Sequence, residues 1–285
     1  LIAYAAPGCA QRWFRQPMWL LLVHLGSLVF CILLVFSVLT QFMPMLLGRT
    51  FAYERALPYL LSLLGLAVVG VWLYLGGWRE GSLAWGAGLS VTAVVAAFST
   101  LAWPAIVYGG ISHRLSRATL ASAFFYLFWT VLLGSFLAQG LIQPPLIAGE
   151  PFSLIALHLH LGLFGFGSLA VFGVSYELLP MFNLAKGVPW FWGWVALSLA
   201  HLGMICITLA TLGPAWARVL GHVWPVCLAL SVASYLWQIR ILLAKAMRRK
   251  REANGVQFRV AWTFLALTTV LGLTLSFQAQ PTLGA

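Results

Sequence analysis

Apolar positions run along this chain in blocks of about 20 residues, the length that crosses a hydrocarbon core about 30 Å thick, and short polar breaks separate the blocks. The breaks hold the prolines, glycines and charges: Arg49 to Arg55, "GGWRE" at 76–80, "HRLSR" at 113–117, "QPPLIAGEP" at 143–151, "LAKGVP" at 184–189, "GPAWAR" at 213–218 and "KAMRRKREANG" at 245–255. Between them the pattern predicts helices over 17–43, 57–77, 83–110, 118–141, 153–179, 189–213, 215–243 and 258–279. The expected fold is therefore all-α, a polytopic membrane helix bundle of about eight transmembrane helices. No block is left over for a soluble domain.

Within this pattern one block repeats another. "HLGSLVFCILLVFSVLTQFMPM" from His24 aligns without gaps to "HLGLFGFGSLAVFGVSYELLPM" from His160, with 10 of 22 positions identical, the His and the Pro included. The offset of 136 residues spans four helices, so both His-bearing helices run in the same direction. This predicts two four-helix repeats, 1–145 and 146–285, the second carrying the His-x-His motif. The copies diverge at Gly165, Gly167 and Gly173, which face Val29, Cys31 and Ser37.

Composition agrees with the membrane reading: 62% of residues are hydrophobic and 7% charged, against about 25% charged in an average soluble domain. A net charge of +11 would suggest nucleic acid in a soluble chain. Here 12 of the 16 Lys and Arg fall in alternate loops or at their helix ends, as the positive-inside rule describes. The expected location is the cytoplasmic (inner) membrane of a bacterium or archaeon, with both termini outside, lipid as neighbour and no nucleic acid. The "RRKRE" run at 248–252 reads as an orientation signal beside anionic lipid. The N-terminus "LIAYAAPGCAQRWF" is not a complete signal peptide and leaves room for processing or a leader. Cys9, Cys31, Cys206 and Cys227 show no CxxC spacing and read as small apolar residues.

Candidate chemistry then rests on histidine. An intramembrane imidazole tends to face a partner, a cavity or a cofactor. Counted from the outer helix ends, His24, His160 and His222 lie about 11 Å deep at 1.5 Å per residue, with His158 close to His160 and His201 near the middle of its helix. At about 100° per residue His158 and His160 point to nearly opposite faces. Gly162, Gly165 and Gly173 share the face of His158, and Phe164 and Gly167 that of His160. Such glycines give either a flat wall for a planar ring or close helix packing. Imidazole is a common axial ligand of haem, which makes His160 and His222 the preferred ligand pair for haem iron, with His158, His201 and His24 as further candidates. Glu177, the one acid inside a predicted span, reads as a group at the headgroup boundary or as a proton relay. His113, among Arg114 and Arg117, reads as solvated.

The stretch "HLHLGLFGFGSLAVFGVSYELLPMF", His158 to Phe182, resembles the haem-copper oxidase subunit I superfamily, which includes nitric oxide reductase relatives. In that family a helix from the outer face opens on a similar His-x-His run, and a His there ligates a low-spin haem. The resemblance implies His160, or else His158, as an axial ligand. It does not extend to a His-Pro-Glu segment or an adjacent His-His pair, neither of which occurs here, so it implies a haem site and an arc-like helix arrangement, gives copper no motif, and leaves catalysis open. Haem A synthase, also with eight helices in two halves, carries its ligands on even-numbered helices and fits less well. The expected function is a haem b-binding electron-transfer subunit of cytochrome type. It would exchange electrons with quinol or a periplasmic cytochrome or cupredoxin, beside other subunits of a respiratory complex. Two alternatives stand beside it: a copper or haem transporter or assembly factor using His with Met45 and Met181, and a cofactor-free structural subunit.

Overall fold

The structure, a computed structural model, describes residues 17–27, 36–37, 40–41, 54–75, 81–108, 114–140, 151–247 and 253–278. Cys9, Cys31, Met45, His113, the basic run at 248–252 and most of the first copy of the repeat lie outside the described residues. Every regular element among the described residues is helical. The order is α1 (Pro17–His24), α2 (Leu57–Leu75), α3 (Gly81–Tyr108), α4 (Arg114–Gln139), α5 (Pro151–His160), α6 (Leu169–Asn183), α7 (Phe191–Leu212), α8 (Val223–Ala244) and α9 (Ala253–Gln278). A π-helix over Leu161–Ser168 joins α5 to α6 without a break, and a 3-10 helix over Ala215–His222 leads into α8. Six stretches among the described residues are long and apolar enough to cross a membrane: Glu54–Leu75, Trp85–Trp103, Arg114–Gln139, Ser153–Asn183, Phe191–Leu212 and Ala215–Ala244. The chain is an integral membrane protein.

On α2, Leu63, Leu66 and Val69 are exposed while Leu64, Ala67, Val68 and Leu75 are buried. Both faces are apolar; the outer one has the composition to meet lipid tails, the inner one meets other helices.

Two compact units divide the chain, one over 1–112 and 124–162, the other over 113–123 and 163–285. In the first, Phe36 stacks on Phe98 at 4.1 Å and tilts against Phe124 at 6.3 Å. Glycines let the backbones approach: a β-carbon on Gly70 would sit 3.1 Å from that of Ala87, and one on Gly88 would sit 2.7 Å from Oγ of Ser135. The Tyr74 hydroxyl donates to the Ala138 carbonyl at 2.6 Å and ties α2 to α4.

In the second unit Phe172 stacks on Tyr235 at 3.8 Å and 5°. Ser231 donates to the Ala196 carbonyl at 2.7 Å, and Ser116 to that of Gly173 at 2.6 Å. The start of α7 has no side-chain cap of its own. Gln238 of α8 supplies the pairing from across the unit, its Oε1 accepting from the Gly193 amide at 3.1 Å and its Nε2 donating to the Pro189 carbonyl at 2.8 Å. Gln238 is fully buried.

Replacing Gln238 by Leu strands a backbone donor and an acceptor. We expect a loss of about 1–3 kcal/mol for each stranded group, read as a lower unfolding midpoint in detergent, whereas Ser62→Ala, at an exposed hydroxyl bonded only within its own helix, leaves the midpoint near its original value.

Candidate functional site

Four of the five candidate imidazoles are placed by a hydrogen bond, and the bond fixes which nitrogen carries the proton. His24 Nδ1 donates to the Leu20 carbonyl at 2.7 Å, His160 Nδ1 to the Ala156 carbonyl at 2.7 Å, and His158 Nδ1 to the Thr130 carbonyl at 3.0 Å. A carbonyl only accepts, so Nδ1 holds the proton in all three and a neutral ring keeps its lone pair on Nε2. That is the form of a metal-ligating imidazole, whose second nitrogen is anchored to a backbone carbonyl or carboxylate.

His201 differs. Ser122 spends its hydroxyl proton on the Ala118 carbonyl at 2.8 Å and lies 3.0 Å from Nε2 of His201. The serine oxygen can then only accept, so Nε2–H of His201 donates to it. This is a helix-to-helix lock within the second unit, and it takes up the nitrogen that His24 and His158 leave open.

The structure brings His24 and His158 together in the first unit. Their ring centroids are 6.3 Å apart and their planes differ by 22°. Neither Nε2 has a hydrogen-bond partner among the described residues. The spacing falls at the long end of the range of about 4.5–7 Å for direct aromatic pairs. His24 and His158 are also the two residues that would hold a metal-bearing group here, each through its Nε2.

Space for the His158 ring comes from Gly134 on α4. A β-carbon there would lie 2.8 Å from Cε1 of His158, 3.4 Å from Nδ1 and 3.7 Å from Nε2. Gly134 is one helical turn beyond Thr130, whose carbonyl anchors the same ring. One turn of α4 therefore supplies both the slot and the acceptor. Sequence reading missed Gly134 and Thr130, which sit in an apolar helix that carries no histidine; only a pairing of α4 with α5 would have pointed to them.

His160 sits on another face of α5 from His158, as expected. It belongs to the first unit and His222 to the second. His222 closes the 3-10 helix Ala215–His222 and is half-buried. The glycine faces are changed by the π-helix over Leu161–Ser168, since a π-turn holds more residues than an α-turn and rotates every later side chain away from the 100° rule. Gly162 packs toward Thr130, where a β-carbon would come within 3.1 Å of the methyl group. Gly165 is buried and Gly167 half-buried in the same π segment. Met181 is exposed on α6.

A haem brings four nitrogens of its own and asks the protein for two axial ligands, whereas a bare ion asks for three or four side chains. Among the described residues no group of three or more His, Cys, Asp or Glu is placed to hold an ion. The His24–His158 pair has both rings anchored at Nδ1 and a glycine-made slot beside one of them. No family model, curated protein or solved structure matches the chain.

The slot is open to test without any cofactor. Gly134→Ala drives a methyl group into the His158 ring, and we expect a loss of about 1–3 kcal/mol, the usual cost of overpacking. In a His158→Ala background the same change turns neutral or stabilising, because Ala is the better helix former by about 0.5–1 kcal/mol. A double-mutant cycle on unfolding in detergent measures the coupling.

Proposed function

We propose that this protein is a haem-binding electron-transfer protein of the inner membrane, and that His24 and His158 are the axial pair. The observation that carries the reading is the meeting of these two imidazoles at 6.3 Å, each with its Nδ1 proton on a backbone carbonyl. Haem, when bound, supplies one-electron redox chemistry. The chain's part is to hold and tune. The Leu20 and Thr130 carbonyls fix the tautomer and ring orientation and make each Nε2 more basic. Leu157 and Leu161, buried along the same stretch of chain, add an apolar setting. The resemblance at His158–Phe182 points to the same cofactor, and the pair argued from geometry stands beside the sequence-preferred His160 and His222. Quinol, a periplasmic cytochrome or cupredoxin, and neighbouring respiratory subunits are the partners this role calls for.

Purified from cells supplied with haem, the protein is expected to show a sharp α-band in its reduced-minus-oxidised visible spectrum. His24→Ala and His158→Ala each remove the six-coordinate low-spin signature, and imidazole added to His158→Gly restores part of it. His160→Ala and His222→Ala keep it. A colourless protein would sink the proposal; loss of the band in the His160 and His222 variants alone would return the assignment to that pair.

A further inference from the structure

In the second unit, where α4 begins and α6 ends, two adjacent side chains keep buried oxygens with no hydrogen-bond partner among the described residues: Oη of Tyr176 and Oε1 of Glu177. Native structures leave few such atoms, and each calls for an explanation such as a trapped water or a functional group. Tyr176 is 1% exposed. Its ring lies 5.8 Å from that of Trp190 and 5.9 Å from that of Tyr235, and a β-carbon on Gly193 would come within 3.5 Å of its hydroxyl. The phenol cannot swing out to solvent to satisfy itself.

The polar groups around it are already committed. The Tyr235 hydroxyl pairs with Ser175 at 3.0 Å and with Trp262. Both ends of the Gln238 amide are used on Gly193 and Pro189, and Ser116 is bonded to Gly173. The charge that acts on Glu177 is Arg117 of α4. Across from Tyr176, α8 contributes Tyr235, and Trp190 and Gly193 at the start of α7 carry no charge. A carboxylate at the headgroup boundary would have both oxygens hydrated, but here one oxygen of Glu177 is shut away, on the residue that follows the buried Tyr176 in the chain.

We infer that Glu177 and Tyr176 form a proton-binding site, in which the carboxyl takes up and releases a proton and water is the ligand shared with the phenol. Hydronium gives its proton to the carboxylate and leaves as water, and the reverse step restores both. The protonated carboxyl is donor and acceptor at once, and a water between it and Tyr176 gives both orphaned oxygens a partner. The site goes beyond the haem reading and stands on no histidine.

Dicyclohexylcarbodiimide enters membranes and adds to protonated carboxylic acids, ending as an N-acylurea with no atom lost. Applied to the intact protein in detergent over a pH series and read by peptide mass spectrometry, it is expected to modify Glu177 several-fold more than Glu54, Glu80, Glu150 or Glu252. Modification at Glu177 falls as pH rises, and Tyr176→Phe moves the midpoint of that fall. Equal modification of all five acids, a pH-independent adduct at Glu177, or an unmoved midpoint in Tyr176→Phe each overturns the site. The wild-type chain carries the main readout, so misfolding of a variant cannot mask it. Because the reagent reads neither haem nor histidine, a colourless protein with a pH-dependent adduct at Glu177 would sink the haem proposal alone.

Discussion

In hydrocarbon a polar group must find its partner inside the protein, and this constraint organises the described structure from single hydroxyls to the candidate site. Ser90, Thr92, Ser99, Thr119 and Thr130 all donate to the carbonyl four residues back, so that each enters an apolar helix without a stranded proton. His24 and His160 follow the same rule with an imidazole in place of a hydroxyl. The tautomer that suits a metal ligand is thus a by-product of satisfying Nδ1 locally. His158 applies the rule across helices, to Thr130 on α4, and is held by the packing of α4 against α5 rather than by its own helix.

Small residues carry the second half of the architecture. Apolar attraction between helices is weak where lipid is as greasy as the side chains, so close approach of backbones does more of the work. Gly70, Gly88, Gly134, Gly173, Gly193 and Gly203 each face an atom that a β-carbon would crowd. At Gly88 and Gly134 the crowding neighbour is a polar side chain, Ser135 and His158 in turn. The glycine that lets two helices meet is then also the one that admits the side chain to the seam. Gly134 serves stability and candidate site together, which is why its contact with His158 can be probed by unfolding alone.

The spans were legible in the sequence because a membrane imposes length and apolarity directly, and the predicted 57–77 and 189–213 stand within two residues of α2 and α7 at each end. The start of α4 is Arg114 rather than 118, since basic residues near a helix end can reach the headgroups while their backbone stays helical. The site was legible only in its residue types. That His158 and His160 point apart followed from two-residue spacing on an α-helix, and α5 is one up to His160. Past His160 the π-helix breaks the assumption behind every face drawn from that point, and nothing in a run of Leu, Gly and Phe announces that change. Matched depth is one coordinate of three; the meeting of His24 with His158 depends on how helices far apart in sequence pack, which no local pattern states. The unpartnered oxygens of Tyr176 and Glu177 are of the same kind, visible only once the neighbours that might have served them are seen to be engaged.

The two aligned stretches of sequence can be compared in their local structure. His24 and His160 are equivalent across the 136-residue offset, each ends an α segment, each bonds back four residues, and each passes into a π segment, at 25–27 and at 161–168. Two such equal copies do not by themselves make a site from one another: His24 meets His158, not its own counterpart. The position equivalent to His158 in the first copy is Leu22, an exposed apolar residue. Of the two meeting histidines, His158 is the one with no histidine at the 136-residue offset, and Gly134 leaves room for its ring.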